Sequence, residues 1–280
     1  MTTIKLAKTS GFCMGVKRAM QLAMETAQNT EGKVYTCGPL IHNPQAIDYL
    51  KEQGVETSPD WHKITEGTVI IRAHGMPAAD IDEMLSKGLK TVDATCPHVK
   101  TSQKQIKKYS DLGYFIYIIG DKDHPEILSL QSFAQNFQVI GNIEAVEKLP
   151  MLEKIMVIAQ TTFNADEFKT ISEALKAKAK EAIICNSICQ ATSLRQNEIK
   201  QLASEADAVV IVGGKSSANT KRLAQIASEI CPNTKHVETE AELNIKDFEN
   251  CKTIAISAGA ATPDFITQRV IDFLSAPPKL

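Results

Sequence analysis

The most constraining feature of this sequence is a series of short apolar runs separated by segments with helical periodicity. The runs are of strand length, at residues 68–72, 114–119, 155–159, 208–212 and 253–257. They are almost continuously apolar, which is typical of strands buried on both faces of a parallel sheet. Between them, apolar residues follow a helical spacing, as in Ile81, Met84 and Leu85, or in Leu223, Ile226, Ala227 and Ile230. This alternation predicts an α/β fold with mostly parallel sheets.

A longer rhythm divides the chain into three similar parts. Three loops place a cysteine, Cys13, Cys96 or Cys189, directly after a short predicted strand and before a predicted helix. The cysteines lie roughly 90 residues apart, a reasonable length for a small domain. We therefore expect three α/β units in a pseudo-threefold arrangement, formed by residues 14–95, residues 96–188, and residues 1–13 together with 189–280.

Several predicted helices begin beside a proline, which suits the first helical position because it lacks the amide hydrogen that would be unpaired there. The loops are His42-Asn43-Pro44, Cys96-Pro97, His124-Pro125-Glu126 and Thr262-Pro263-Asp264. A helix start offers free N–H groups and positive potential, so several starts that point inward form an anion site. Any single loop is explained equally well by helix capping alone. The shared presence of Cys, His, Glu and Asn favours a common site.

The cysteines indicate metal chemistry. The chain has seven, an odd number, and no secretion signal accompanies them, so a disulfide framework is improbable. Three thiolates, one from each unit, select zinc or an iron–sulfur cluster. Three ligands on a four-iron cluster leave one iron open to substrate. Two alternatives remain: a zinc-dependent hydrolase with water in the fourth position, and a non-catalytic anion-binding or redox-sensing protein with a fully ligated cluster.

Two titratable residue types could serve an anion site. His74 directly follows a predicted strand and His124 precedes Glu126, and imidazoles can bind phosphate oxygens. A carboxyl group beside a bound diphosphate tends to stay protonated, so Glu126 could deliver a proton to a leaving hydroxyl. The plain alternative for Glu126 is a favourable interaction with the helix dipole. His62 and His236 are expected to be structural.

Composition and the remaining motifs exclude other classes. The net charge of −2 gives no indication of a nucleic-acid partner, and no apolar stretch is long enough for a membrane span. The start of the chain lacks the features of a signal peptide, so we expect a cytoplasmic location. The loop from Val212 to Asn219 fails the Walker spacing, and the dinucleotide-binding glycine pattern is absent.

Taken together, the motifs resemble the LytB (IspH) family of hydroxymethylbutenyl diphosphate reductases over essentially the whole chain. The matching motifs are Gly11-Phe12-Cys13-Met14-Gly15-Val16, Ile41-His42-Asn43, Ala73-His74-Gly75, Asp93-Ala94-Thr95-Cys96-Pro97, His124-Pro125-Glu126, Gln160-Thr161-Thr162, Ser217-Ala218-Asn219 and Ala258-Gly259-Ala260-Ala261-Thr262-Pro263-Asp264.

The resemblance implies an iron–sulfur oxidoreductase of the non-mevalonate isoprenoid pathway. Its reaction would be the two-electron reductive dehydroxylation of (E)-4-hydroxy-3-methylbut-2-enyl diphosphate to isopentenyl and dimethylallyl diphosphate, with electrons from a reduced ferredoxin or flavodoxin. It implies a central 4Fe–4S cluster with three cysteine ligands and one open iron. The metal ligands would be Cys13, Cys96 and Cys189, and the catalytic residues Glu126, Thr161 and His124. The substrate-binding residues would be His42, His74, His124, Thr161, Ser217, Ala218, Asn219 and Ala261.

The sequence departs from the family pattern at two places. Ala261 stands where the family usually has serine, and the adjacent Thr262 or backbone N–H groups would have to make that contact with the diphosphate. After His124-Pro125-Glu126 the family usually shows a glycine within a few residues, whereas this chain has Ile127-Leu128-Ser129-Leu130. We therefore expect a different local shape at this helix start, with the same role.

Overall fold

The computed structural model describes residues 2–276 of the chain, in which strands and helices alternate. The strands are β1 (Thr3–Leu6), β2 (Val34–Cys37), β3 (Val55–Ser58), β4 (Thr68–Ile71), β5 (Lys90–Asp93), β6 (Phe115–Ile119), β7 (Phe137–Ile140), β8 (Leu152–Ala159), β9 (Ala179–Cys185), β10 (Ala208–Val212), β11 (Thr234–Val237) and β12 (Thr253–Ala258). The α-helices are α1 (Met14–Asn29), α2 (Pro44–Glu52), α3 (Ala78–Ser86), α4 (Pro97–Asp111), α5 (Pro125–Gln131), α6 (Glu144–Glu147), α7 (Ala165–Lys176), α8 (Gln190–Glu205), α9 (Ala218–Ile230) and α10 (Asp264–Ser275).

The chain divides into two compact units, and each is described by itself. The first unit contains the residues up to Lys17, Ile41–Tyr49, and the chain from Gln190 onwards, and the second contains Arg18–Leu40 and Leu50–Cys189. The residue bounds of the three predicted domains stay a prediction. The last of them also includes residue 1 and residues 277–280, which lie outside the described residues.

The strands form three parallel four-stranded sheets with the same strand order. The first unit holds the sheet β1-β12-β10-β11, and the second holds β3-β2-β4-β5 and β7-β6-β8-β9. All their pairings are parallel. When the strands of each sheet are numbered in chain order, with β1 counted as the fourth strand of its sheet, their spatial order is 2-1-3-4 in all three sheets. The predicted α/β fold of three similar parts is therefore confirmed.

Helices cover both faces of the long sheets, which explains the continuous apolar runs. In the first unit, Val210 and Ile256 pack with residues of α10, whereas Val209 and Ile211 on the opposite face pack with residues of α8 and α9. In the sheet β7-β6-β8-β9, Tyr117 likewise faces α7. Because neighbouring strand residues point to opposite faces, such strands are apolar at every position.

The predicted helix starts and helix faces need two corrections. Helices α2, α4 and α5 begin at the expected prolines, but α10 begins at Asp264, with Pro263 preceding it. Leu85 and Ile230 were expected on the buried stripes of their helices, yet they are 53% and 41% exposed. Each stands near the C-terminal end of its helix, where the buried stripe has already ended.

Candidate functional site

In the second unit, a buried carboxyl group lies at the start of α5. Glu126 occupies the first turn of this helix and is 1% exposed. Its Oε1 accepts a hydrogen bond from the backbone N–H of Thr161 at 2.6 Å, and its Oε2 accepts one from the Thr161 hydroxyl at 2.8 Å. Burial raises the pKa of Glu126 to about 7, although the two hydrogen bonds from Thr161 oppose this rise. The group can therefore bind and release a proton near neutral pH.

Thr161 also fixes the backbone of a predicted metal ligand. Its carbonyl oxygen accepts the backbone N–H of Cys189 at 3.0 Å. The loop that leads to Cys189 is attached at a second point, because the Ser187 hydroxyl donates to the carbonyl of Ala159 and accepts from its amide. Thr161 therefore connects the acid Glu126 with the cysteine-bearing loop.

Two predicted substrate-binding histidines lie beside this acid. His124 is the N-cap of α5, and its Nδ1 accepts the backbone N–H of Glu126 at 3.1 Å. This hydrogen bond places the proton of the neutral imidazole on Nε2. The rings of His74 and His124 meet edge to face, with their centroids 5.4 Å apart and their planes at 88°. The predicted proximity of His74, His124 and Glu126 is therefore present within the second unit.

A backbone hydrogen bond holds Cys96 beside the loop that carries His74. Cys96 is the N-cap of α4, and its N–H donates to the carbonyl of Ala73 at 2.9 Å. Ala73 directly precedes His74, at the carboxyl end of β4. The structure thus ties one predicted metal ligand to the loop of one predicted phosphate ligand.

In the first unit, the loop before Cys13 is attached to α8 by two charged side chains. The buried Arg195 donates from Nη2 to the carbonyl of Gly11 at 2.7 Å. The Glu198 carboxylate accepts the N–H groups of Lys8 and Thr9 at 2.7 and 2.9 Å. Burial tends to raise the pKa of Glu198, but the hydrogen bonds from Thr9 and Lys8 outweigh it and lower that pKa. These contacts give the loop a fixed path to Cys13.

The backbone of His42 lies against a glycine of the loop after β10. A Cβ added to Gly214 would meet the carbonyl oxygen of His42 at 2.5 Å, so only glycine permits this approach. The neighbouring Asn43 is buried and caps α2, because its Oδ1 accepts the N–H of Ala46 at 2.9 Å. The predicted phosphate ligand His42 is thereby placed beside the predicted phosphate loop.

The start of α9 carries the other predicted phosphate ligands. Ser217 is the N-cap, and its hydroxyl accepts the N–H of Thr220 at 3.3 Å. Ala218 is the first helical residue. Asn219 is only 5% exposed, and neither its amide nitrogen nor its amide oxygen has a hydrogen-bond partner within residues 2–276. A buried amide without partners is costly, so the Asn219 amide is available to a ligand or a water molecule.

The loop after β12 shows whether Thr262 can replace the serine hydroxyl that is missing at Ala261. The backbone N–H of Cys13 donates to the carbonyl of Ala260 at 3.1 Å, which places Ala261 next to the loop of a predicted metal ligand. The buried Thr262 hydroxyl donates to the carbonyl of Val212 at 3.0 Å. Its hydrogen is therefore committed to the fold, and Thr262 does not replace the missing serine hydroxyl as a donor.

The remaining cysteines and histidines lie in ordinary surroundings. The seven cysteines, all within the described residues, form no disulfide. Burial raises the pKa of Cys37 to about 12, and burial also raises the pKa of Cys185 and Cys251. These thiols stay protonated at neutral pH and are poor metal ligands. His62 stacks on Trp61 near the surface, and the His236 ring contacts the carbonyl of Gly213.

Sequence reasoning missed three residues near the site. Arg195 and Glu198 belong to none of the predicted site motifs, and Ser129 appears only in the changed stretch after Glu126. The partners through which they hold the site loops lie between 26 and 190 residues away along the chain. The only available signal was weak: α8 has two charges where a helix beside a sheet usually shows apolar residues.

Comparison with known proteins identifies the family of the chain. Residues 4–275 match the family model described as LytB protein. The 4-hydroxy-3-methylbut-2-enyl diphosphate reductase of Geobacter sulfurreducens is 43% identical over 270 residues, which cover 96% of this chain and 95% of the relative. The enzyme of the same name from Aquifex aeolicus is 42% identical over 275 residues, covering 96% of this chain and 95% of that protein.

Two solved structures share the fold. One, of (E)-4-hydroxy-3-methyl-but-2-enyl diphosphate reductase, the terminal enzyme of the non-mevalonate pathway, is 41% identical, with a TM-score of 0.71, and the match covers 98% of this chain and 99% of that one. The other, a Plasmodium falciparum reductase of an E-1-hydroxy-2-methyl-but-2-enyl-4-diphosphate, is 28% identical, with a TM-score of 0.94 over 99% of this chain and 89% of that one. Within residues 2–276, no helix combines the length and apolarity that crossing a membrane requires. From the family match and the full-length relatives, this chain belongs to the LytB family.

Proposed function

We propose that this protein is an iron–sulfur oxidoreductase that reduces (E)-4-hydroxy-3-methylbut-2-enyl diphosphate, with loss of the hydroxyl group as water, to isopentenyl and dimethylallyl diphosphate. Membership of the LytB family and relatives of that name over nearly the full chain support the proposal. The observation that carries it is the buried Glu126, which has a pKa of about 7 and is bound through both oxygens by Thr161. Loss of a hydroxyl as water requires a proton donor of this kind.

The proposed cofactor is a 4Fe–4S cluster held by Cys13, Cys96 and Cys189. Each of these cysteines directly precedes a helix, α1, α4 or α8, and each is half-buried. A helix N-terminus favours the thiolate form, and thiolates are the ligands that iron–sulfur clusters prefer, so the donor set fits the group. When bound, the cluster supplies electrons to the allylic carbon–oxygen bond and offers one iron that no protein ligand occupies. The convergence of the three thiols stays a prediction.

The proposed diphosphate site uses helix starts and neutral or charged hydrogen-bond donors, namely His42, His74, His124, Ser217, Ala218, Asn219 and Ala261. The unpartnered amide of Asn219 supports this assignment, because a phosphate oxygen would accept from its nitrogen. Ser217 still has its hydroxyl hydrogen to donate after capping α9. Ala261 contributes only backbone groups. Charge-assisted contacts of this type contribute about 1.5–3 kcal/mol each.

The proposed proton path runs from Glu126 to the substrate hydroxyl through Thr161. At neutral pH the Glu126 carboxyl holds a proton in a substantial fraction of molecules. The Thr161 hydroxyl lies 2.8 Å from Oε2 of Glu126 and donates to the ionised carboxylate. When Oε2 carries the proton, this hydrogen bond reverses, and Thr161 can receive that proton while it donates its own to the substrate hydroxyl. This proton and two electrons release the substrate hydroxyl as water, and a second proton, taken up at either end of the allyl fragment, completes isopentenyl or dimethylallyl diphosphate. His124 holds the first turn of α5 by accepting the N–H of Glu126, which keeps the acid in place.

The proposed partner is a reduced ferredoxin or flavodoxin, each of which is an electron carrier suited to an iron–sulfur acceptor. A cytoplasmic location also stays a prediction from the sequence. Neither the electron carrier nor the location changes the roles proposed for the residues above.

The test is anaerobic purification followed by metal analysis and turnover. We expect a brown protein with about four irons per chain and turnover with reduced ferredoxin. Single Cys→Ser changes at Cys13, Cys96 and Cys189 should abolish stable iron binding, whereas the control Cys231→Ser should retain it. A colourless protein that contains zinc would instead indicate the hydrolase. Full iron loading without turnover would indicate the non-catalytic protein.

A further inference from the structure

We propose that Ser129 and Gln103 are positioning residues that fix the His74 loop against helix α5, and so set the spacing of the two imidazoles that bind diphosphate. This inference rests on the proposed function, because it assigns a purpose to His74 and His124. Neither Ser129 nor Gln103 contacts the reacting groups. They act through the backbone that carries those groups.

The central contact is made by a fully buried hydroxyl. Ser129 lies on α5, one turn after Glu126, and is 0% exposed. Its Oγ donates to the carbonyl of Met76 at 3.1 Å and accepts from Gln103 Nε2 at 2.9 Å. We call these two hydrogen bonds the Ser129 latch. They join α5, α4 and the loop between β4 and α3 at one point.

The loop is shaped to fit the latch closely. Gly75 has a φ of +79°, a conformation that favours glycine. A Cβ at this position would lie 2.6 Å from the Ser129 Oγ and 2.8 Å from the Gln103 Nε2. The backbone at Gly75 therefore packs directly on the latch, with no room for a side chain. Two polar atoms of the latch define how near the loop comes to α5.

The residue before Gly75 is His74, and α5 begins with His124 as its N-cap. Their rings meet edge to face, with centroids 5.4 Å apart. A second contact supports the same arrangement, because the Ser132 hydroxyl accepts the N–H of Ala78, the first residue of α3. The latch thus connects the two segments that carry the imidazoles.

The position of Ser129 is also informative in sequence. It lies in the short stretch after Glu126 where the resemblance to the LytB family leads one to expect a glycine. A glycine has no hydroxyl and could form neither hydrogen bond of the latch. Both hydrogen bonds of the latch therefore depend on the Ser129 hydroxyl.

The experiment measures the affinity of the anaerobically prepared holoenzyme for inorganic pyrophosphate by calorimetry, together with KM and kcat for the allylic diphosphate. The variants are Ser129→Ala and Gln103→Met. The control is Ser172→Ala, another buried serine, whose hydroxyl donates within its own helix to the carbonyl of Lys169. We expect Ser129→Ala to raise the pyrophosphate Kd and the KM about tenfold, with kcat changed by less than about twofold. Gln103→Met should act in the same direction, and the control should change neither constant.

Unchanged Kd and KM in both variants would overturn the proposal. So would an equal loss in the Ser172→Ala control, because the effect would then be one of packing. If Ser129→Ala does not fold, the half-buried Gln103→Met decides the question alone. A wild-type enzyme without turnover would contradict the proposed reaction. The pyrophosphate affinities of the variants would still decide whether the latch positions the anion site.

Discussion

Thr161 binds both carboxylate oxygens of Glu126, one through its backbone N–H and the other through its hydroxyl. The two residues are 35 positions apart along the chain. Since the same threonine accepts the N–H of Cys189, the acid keeps a fixed position relative to that cysteine's backbone. This arrangement supports a set of measurable expectations.

Replacing Glu126 with glutamine removes the acid but keeps its shape and its contacts with Thr161. We expect turnover to fall about a hundredfold or more, the usual effect of losing a general acid. The visible absorption of the cluster should stay unchanged, because Glu126 is not a proposed ligand. The exposed Glu173→Gln on α7 is the control, with normal turnover expected. Turnover within a factor of about three of wild type in Glu126→Gln would remove the acid from the mechanism.

The raised pKa of Glu126 also predicts a dependence of stability on pH. The folded protein holds this proton more tightly than the unfolded chain, so the stabilising contribution is complete below the ordinary pKa of 4.5 and is lost as pH rises to about 7. Between pH 5.5 and 8, we expect wild type to lose about 2 kcal/mol relative to Glu126→Gln. Denaturant unfolding of both proteins across this range measures the difference. A difference that is constant with pH would show that the group is not buried as described.

Thr161 offers a separate test through paired substitutions. Its side-chain hydrogen bond lowers the pKa of Glu126, so Thr161→Val should raise that pKa further. Thr161→Ser keeps the hydroxyl and should leave the pKa near that of wild type. The alkaline limb of the pH–rate profile should therefore move to higher pH in the valine variant only, and turnover should fall because the relay loses its hydroxyl. Identical profiles in the two variants would contradict the proton path.

Replacing Asn219 should weaken pyrophosphate binding without lowering the stability of the fold. Because its buried amide has no partner within the described chain, Asn219→Ala should cost little or no free energy of unfolding. The same change should weaken pyrophosphate binding about tenfold, since the anion loses a hydrogen bond. Asn233→Ala is the control with the opposite expectation, because the amide of Asn233 donates to the carbonyl of Asp247 within the fold. That variant should be less stable and bind pyrophosphate normally, and calorimetry and thermal unfolding together check both expectations.

The apolar runs predicted five of the six interior strands, with β2 missed, whereas edge strands were expected only before the three cysteines, for a physical reason. Strands β4, β6, β8, β10 and β12 are interior to their sheets and covered on both faces, so they appear as continuous apolar runs. Edge strands such as β5 and β11 have exposed or half-buried lysines and threonines and give no such signal. The cysteine-bearing loops were predictable because each combines a strand end, a cysteine and a helix start.

The contacts that organise the site were not predictable from local pattern. The pairing of Glu126 with Thr161 depends on the parallel pairing of β6 with β8, which brings the ends of both strands to one edge of the sheet. Ser129 resembles any polar residue of a short helix until Gly75 and Gln103 are placed beside it. Sequence motifs identified which side chains matter, whereas their partners followed only from the topology.

The pairing of β1 with β12 has a consequence for biosynthesis. Thr3 pairs with Thr253, so the strand that leads to Cys13 finds its neighbour only after β12, which ends at Ala258, has left the ribosome. The sheets that lead to Cys96 and Cys189 are complete as soon as residues 93 and 185 have emerged. Since domains fold as they are synthesised, the Cys13 loop takes its final path last. We therefore expect metal insertion only after residue 258 has been synthesised.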